Sequence, residues 1–211
     1  MIDFVIQPGL QPDVERHIRE SADIAAECFG RIVPRLPVQR RLMDTNEVAN
    51  VVAATDPSGV MDMRAFVAKQ RDDRRQYAVP DTVRTMSFVA LPTKVIEGSR
   101  LFMTAYGYSI GKIGEAVTSV ARITDEAGTQ HKAFLSQLIA YTAVHETGHL
   151  FGLVKDGAPR QIAGKHCGNV CVMGVGSSVE NTFQRIRTMG NHLHFCVDCT
   201  ADIRAAAESA L

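Results

Sequence analysis

The sequence lacks net charge and a long apolar run, and its first residues do not resemble a secretory signal. Lysine plus arginine and aspartate plus glutamate number 23 each among the 211 residues, so the chain has no overall field that attracts nucleic acid or an anionic membrane. No apolar run is long enough to cross a membrane. The first ten residues, MIDFVIQPGL, carry an acid at Asp3 and no basic region, unlike a secretory signal. We therefore expect a cytoplasmic protein that binds neither nucleic acid nor membrane.

A cytoplasmic location decides how the five cysteines are interpreted, because reducing conditions favour thiols or metal ligands over disulfides. Cys167 and Cys171 have three residues between them, and Cys196 and Cys199 have two. Four thiolates suit a closed tetrahedral zinc site. Buried thiols and two disulfides are the alternatives. Cys28 stands alone on a predicted helix face and is expected to be a small buried hydrophobe.

The spacing of apolar residues predicts an α/β chain of the α+β type, with a mixed sheet and a smaller, irregular C-terminal part. We expect an N-terminal subdomain over residues 1–152 and a C-terminal subdomain over residues 153–211. The segment 31–52 is ambiguous. The predicted strands cover 1–8, 85–91, 101–108 and 115–123, and the predicted helices cover 11–28 with an end at Gly30, 61–73, 131–151 with a stop at Gly152, 178–188 and 201–210.

One charged run, from Lys69 to Arg75, mixes both signs within a helical pattern. Alternating signs of this kind are typical of a solvated helix face. We therefore predict that this run lies at the surface.

The predicted helix over 131–151 ends in His145-Glu146-Thr147-Gly148-His149, which matches H-E-x-x-H. Histidines one helical turn apart present two imidazole nitrogens to one ion. Zinc with three protein ligands keeps a position for water and lowers the pKa of that water toward neutrality. Glu146 flanks the same face, so its carboxylate can take the proton of the water and pass it to a departing amine. The motif predicts a zinc-dependent hydrolase with Glu146 as catalytic base.

A third ligand does not follow from the nearest spacing. The short pattern H-E-x-x-H-x-x-G-x-x-H would place a histidine three residues after Gly152, but Lys155 stands there, and protonated lysine cannot bind zinc. His166 lies further along, after an insertion whose glycines and proline supply turns that can bring it back to the metal at modest entropic cost. Asp156 is the competing ligand.

The order of motifs resembles the archaemetzincins, a branch of the metzincin metallopeptidases: H-E-x-x-H-x-x-G, then His166-Cys167 with Cys171 and Met173, then Cys196-x-x-Cys199. The resemblance implies that His166 completes the catalytic zinc site, that Met173 forms a turn beneath it, and that the four cysteines hold a second, structural zinc. A looser similarity covers residues 106–122. The sequence departs from the family pattern in two ways. Thirteen residues separate Gly152 from His166, and three residues separate the first two cysteines of the cluster, Cys167 and Cys171.

The resemblance implies a metzincin-like fold and a zinc metallopeptidase with two zinc ions and a peptide or protein substrate. We expect the peptide to lie extended beside the strand at 115–123, where it can add to the sheet edge. The main alternative is a zinc-organised peptide- or protein-binding module without turnover. Hydrolysis of a non-peptide amide is a further alternative, because the H-E-x-x-H motif activates water without selecting the acyl group.

Overall fold

A mixed five-stranded sheet organises the molecule, and the computed structural model describes residues 1–80, 82–97, 100–102, 106–111, 114–162 and 165–209. A short 3-10 turn, Lys132–Phe134, precedes the helix Leu135–Leu150. In chain order the elements are β1 (Ile2–Ile6), α1 (Pro12–Ile32), β2 (Val38–Leu42), α2 (Thr45–Ala54), β3 (Met61–Asp62), α3 (Met63–Gln76), β4 (Arg84–Val89), β5 (Thr93–Glu97), β6 (Arg100–Phe102), β7 (Gly107–Ile110), β8 (Glu115–Ser119), α4 (Val120–Ala127), α5 (Leu135–Leu150), β9 (Gln161–Ile162), β10 (His166–Cys167), α6 (Val179–Thr188) and α7 (Val197–Glu208).

The strand order in the main sheet is β2-β1-β4-β8-β7. β2, β1, β4 and β8 run parallel, whereas β7 pairs antiparallel with β8 at the edge. Parallel strands are buried on both faces, and all five residues of β1 are buried accordingly. The predicted α+β type fold with a twisted mixed sheet is confirmed.

Two hydrophobic clusters lie on the two faces of this sheet. Phe4 of β1 and Phe88 of β4 belong to the larger cluster, which includes residues of α1, α4, α5 and the C-terminal part. Val5 and Val89, one position further along, belong to the smaller cluster with α2 and α3. The alternation along each strand thus separates the face that packs on α5 from the face that packs on α3.

The C-terminal part contains two helices and loops, as the sequence predicted, and two short strands, β9 and β10, that it did not predict. Its residues share the larger cluster with residues of α1 and α5. Within the described ranges, no helix combines the length and the apolar character that crossing a bilayer requires.

Helix α1 continues past Gly30, where the sequence predicted its end, to Ile32. Phe29 and Ile32 are both buried in the larger cluster, and the Phe29 ring lies 5.5 Å from the rings of Phe151 and of Phe195. A glycine inside a helix costs about 1 kcal/mol. The burial of Phe29 and Ile32 offsets that cost, so packing overrides the local signal.

The predicted strand over 115–123 is wrong beyond Ser119, where β8 ends and α4 begins. The Ser119 hydroxyl accepts a hydrogen bond from the Arg122 backbone N–H and caps the helix. Val120 and Ile123 are buried, but they lie on one face of this helix and not in a strand. A short apolar run does not distinguish these two structures.

Two predicted elements extend into residues outside the described ranges. The predicted strand over 101–108 corresponds to β6 and β7, and residues 103–105 between them lie outside those ranges. The predicted helix over 201–210 begins earlier, at Val197, and is described to Glu208. The segment 31–52, which the sequence left ambiguous, contains β2 and most of α2.

The prediction of a solvated face between Lys69 and Arg75 is wrong for Arg74. Its side chain is only 11% exposed, and its Nη1 lies 2.8 Å from Oε1 of Glu115, whose side chain is 2% exposed. The same guanidinium donates to the carbonyls of Pro80 and Val83. Arg74 is therefore part of the interior, because it neutralises an acid at the start of β8.

Candidate metal centre

Helix α5 brings His145 and His149 to the same face, with 3.2 Å between their Nε2 atoms. His166 on β10 lies opposite, and its ring centroid is 5.2 Å from that of His145 and 5.8 Å from that of His149. One nitrogen of each of the three rings lies within 4.8 Å of the others. Three imidazoles from two distant segments thus surround one point.

Backbone carbonyls orient the two helical histidines. Nδ1 of His145 lies 2.9 Å from the Val172 carbonyl, and Nδ1 of His149 lies 2.5 Å from the Leu153 carbonyl. A carbonyl only accepts, so Nδ1 carries the proton and donates it, and Nε2 keeps its lone pair. Two lone pairs that face each other at 3.2 Å repel unless a cation lies between them. The separation also fits the roughly 3.4 Å between nitrogens bound to one tetrahedral zinc at about 2.1 Å.

Burial keeps His145 neutral. Burial, together with the neighbouring His149, lowers the pKa of His145 to about 3. The ring is therefore an unprotonated ligand at neutral pH, the form that a metal ion requires.

Met173 lies beneath the helical turn that carries the two ligands. It is fully buried, and its sulfur would overlap a Cβ atom added at Gly148. Gly148 directly precedes His149 in the H-E-x-x-H motif. Because any side chain here would collide with Met173, only glycine allows this close contact. The family resemblance predicted Met173 beneath the metal, and the structure places it against the turn between His145 and His149.

The insertion after Gly152 returns the chain to the histidines. Gly152 has a φ of +82° and ends the helical segment as predicted. The Val154 N–H then donates to the Lys165 carbonyl at 3.2 Å, which closes the insertion and leaves His166 next in sequence. Asp156, the competing ligand, has a side chain that is 77% exposed and is not among the three clustered groups.

Glu146 lies beside the three histidines and contacts the edge strand. Its Oε2 accepts a hydrogen bond from the Ser109 hydroxyl at 2.5 Å. Burial raises the pKa of Glu146, while His149 and the Ser109 hydrogen bond act in the opposite direction. A Cβ added at Gly107 would lie 2.6 Å from Cγ of Glu146, so glycine lets β7 pack directly on α5. Sequence reasoning missed Ser109, because nothing in its spacing connects it to the motif.

The hypothesis that Glu146 is a catalytic base, drawn from the H-E-x-x-H motif, gives a prediction for Ser109: removing its hydroxyl should slow peptide hydrolysis without preventing folding. A hydrogen bond to a charged group contributes about 1.5–3 kcal/mol, so we expect Ser109→Ala to lower kcat about tenfold with little change in KM. Ser109→Thr keeps the hydroxyl and should recover part of the rate. Steady-state kinetics on a fluorescent peptide would measure both variants, and an unchanged kcat in Ser109→Ala would show that the contact does not position Glu146.

Two cavities meet at this centre. One of about 330 Å³ is lined by Tyr106, Thr142, Val175 and Thr182 as well as by Glu146 and His166. A larger one of about 900 Å³ is lined by β7 and also contains Glu146, His149 and His166. The carboxylate and the histidines therefore face an open cleft instead of a closed core, unlike a purely structural metal site.

A second cluster contains four cysteines that the sequence singled out. The four sulfur atoms lie within 4.8 Å of one another, and all four residues are free thiols. The Cys167 and Cys196 sulfurs are 3.8 Å apart, which matches the roughly 3.8 Å edge of a tetrahedron with Zn–S bonds of about 2.3 Å. Disulfides are not present. The lone Cys28 is buried, as predicted, and its thiol donates to the Leu193 carbonyl.

Known proteins resemble this chain in sequence and in fold. No protein-family model matches it. An archaemetzincin from Archaeoglobus fulgidus is 27% identical over 135 residues, which cover 62% of this chain and 71% of that protein.

Three solved structures share the fold. A zinc-dependent peptidase from Methanocorpusculum labreanum has a TM-score of 0.64 at 18% identity and covers 96% of this chain and 100% of its own. An archaemetzincin from Methanopyrus kandleri has a TM-score of 0.62 at 19% identity, with coverage of 99% and 96%. The archaemetzincin from Archaeoglobus fulgidus, complexed with malonate, has a TM-score of 0.59 at 17% identity, with coverage of 96% and 99%.

The chain thus shares the fold of these structures and gathers three histidines beside its H-E-x-x-H helix. It also resembles archaemetzincins in sequence, so the resemblance predicted from the order of motifs is confirmed.

Proposed function

We propose that this protein is a zinc metallopeptidase that hydrolyses peptide bonds, with His145, His149 and His166 as ligands of the catalytic zinc. The observation that carries the proposal is the convergence of three imidazole nitrogens beside the Glu146 carboxylate in an open cleft. When bound there, zinc would supply a Lewis acid that makes a water molecule more acidic and polarises a carbonyl.

Glu146 acts as the general base. Its carboxylate removes a proton from the attacking water and delivers it to the departing amine. The Ser109 hydrogen bond to Oε2 restrains the carboxylate in the cleft, and burial favours uptake of the proton because it raises the pKa of Glu146. The same side chain therefore suits both transfers.

The substrate lies along β7. Peptide addition beside the strand at 115–123, as the sequence predicted, is ruled out because β8 has β4 and β7 as neighbours. β7 is one of the two edge strands of the main sheet, and it lines the larger cavity together with Glu146 and His149. An extended peptide that pairs with β7 would bring its scissile carbonyl next to the histidines.

The four clustered cysteines bind a second, structural zinc. Cys167 lies on β10, Cys171 in the following loop, and Cys196 and Cys199 at the start of α7. One ion would therefore connect β10 to the last helix. This supports the predicted C-terminal subdomain over 153–211, which such an ion would hold together.

Counting zinc in matched variants tests the ligand assignment. We expect about two zinc ions per wild-type chain, about one in His166→Ala, and an unchanged count in Asp156→Ala, because only His166 lies with the other histidines. Inductively coupled plasma mass spectrometry of purified protein measures the count. Loss of zinc in Asp156→Ala, with a full count in His166→Ala, would transfer the ligand role to Asp156.

A peptide-library cleavage assay tests the activity itself. We expect the wild type to cleave peptides and His166→Ala to be inactive. Binding of library peptides without cleavage by the zinc-loaded wild type would favour the peptide-binding module over the enzyme.

A further inference from the structure

A cavity of about 410 Å³ lies at the amino-terminal edge of the parallel strands and shares no lining residue with the catalytic cleft. Gln39 of β2, Asp3 of β1, Thr85 of β4 and Glu115 of β8 lie side by side across the sheet and form its floor. Arg41 also lines the cavity, two residues further along β2. The start of α2 and the second half of α3 form its walls. Its volume is in the range of small-molecule sites.

Two buried side chains that line this cavity each have one polar atom without a hydrogen-bond partner among the described residues. Asp3 is 4% exposed and its Oδ1 is unpaired, while Oδ2 accepts from Arg41. Gln70 is 5% exposed and its Nε2 is unpaired, while Oε1 accepts from Asn50. Leaving such atoms unpaired in the interior is unfavourable, and a ligand that pairs with them would remove that penalty. The cavity thus offers one negative acceptor and one neutral donor.

The cations of the cavity are already engaged. Arg41 donates to Asp3 and to both carboxylate oxygens of Glu47. Arg74 donates to Glu115, to Thr85 and to two carbonyls. Neither guanidinium is therefore available for an anion.

The carboxyl groups outnumber the cations. Two arginines and the amino group of Met1 face five acids: Asp3, Asp44, Glu47, Asp73 and Glu115. Burial raises the pKa of Asp3 and raises that of Glu115 to about 7, so a cation placed beside them would relieve an unfavourable charge. The charge balance favours a positively charged ligand.

The geometry does not suit a metal ion. Throughout the described ranges, the only groups of three or more potential ligands with atoms within 4.8 Å of one another are the histidine and cysteine clusters. The acids of this cavity are spread along its floor and walls instead. An extended ligand with separate polar groups fits this arrangement better than a single ion.

We propose that this cavity binds a small organic cation, an amine or a guanidinium compound, that also carries a hydrogen-bond acceptor. The positive group pairs with Oδ1 of Asp3, and the acceptor receives a hydrogen bond from Nε2 of Gln70. This would be a second binding site on the molecule, separate from the metal centre.

The test is an NMR titration of the zinc-loaded, ¹⁵N-labelled protein with L-argininamide, with the uncharged N-acetyl-L-citrullinamide as the comparison. We expect saturable shifts at backbone amides around Asp3, Arg41 and Gln70 with the cation, and none that saturate with the neutral compound. Absence of saturation, equal binding of both compounds, or shifts confined to residues around His145 and His149 would overturn the proposal.

Single-residue variants distinguish binding in this cavity from nonspecific attraction of a cation to the acidic surface. Asp3→Asn should weaken binding about tenfold, as expected for one charged hydrogen bond, and Gln70→Met should weaken it several-fold. Asp72→Asn removes an exposed acid from the same helix as Gln70 and should leave binding unchanged. If Asp3→Asn does not fold, the NMR shifts of the wild type and the affinity of Gln70→Met test the proposal instead. Undiminished binding in a folded Asp3→Asn or in Gln70→Met contradicts the model of recognition.

Discussion

Replacing Glu146 by glutamine should lower kcat for peptide hydrolysis about 10²–10⁴-fold, the usual contribution of a general base. Zinc content and fold should be unchanged, because the amide keeps the size of the side chain and Glu146 is not one of the three clustered histidine ligands. The amide oxygen can still accept from Ser109, but the side chain no longer takes up a proton. The experiment therefore separates metal binding from proton transfer.

Steady-state kinetics and metal analysis on the same preparation would check this result. Glu27→Gln is the matched control, because Glu27 is an exposed acid on α1, and it should keep full activity. Undiminished turnover in Glu146→Gln would mean that another group accepts the proton. A loss of zinc in that variant would instead show that the carboxylate helps to hold the ion.

The second large effect concerns the cysteine cluster. Cys199→Ser should reduce the zinc count by one and lower the free energy of unfolding by on the order of 4 kcal/mol or more, the range typical of a lost structural metal. Cys199 is fully buried in α7, so its loss leaves three thiols around an incomplete site. Because Cys167 directly follows His166, we also expect the variant to lose peptidase activity.

Cys28→Ser is the matched control for this experiment. Cys28 is a buried thiol outside the cluster, so its replacement should keep two zinc ions and cost only about 1–2 kcal/mol. Denaturant unfolding and metal counting would compare the two variants. Equal zinc content in both would refute a structural zinc on the cysteines.

The sequence was most informative where chemistry depends on local spacing. Histidines four residues apart on a helix must face the same side, so the pair on α5 could be predicted from periodicity alone. The position of His166 could not, because it depends on how the thirteen-residue insertion closes through Val154 and Lys165. Its assignment came from the family resemblance instead of from spacing.

Other features depend on tertiary contacts that no local pattern contains. Arg74 belongs to a charged run, yet it is buried because Glu115, distant in sequence, needs a partner. Ser109 contacts Glu146 because β7, which is distant in sequence from the motif, packs directly on α5. The end of β8 at Ser119 was missed for a different reason, since Val120 and Ile123 are equally apolar in a strand or in a helix.

The two carbonyls that orient the imidazoles have a consequence for the autonomy of the helix. Both come from beyond residue 152, one from Leu153 and one from Val172, which lies between Cys171 and Met173. A fragment that stops at the helix would therefore keep the whole H-E-x-x-H motif, but its rings would sample either tautomer and rotate freely. Preorganisation of the donors is a property of the assembled chain, and a pentapeptide match found in another protein does not by itself imply it.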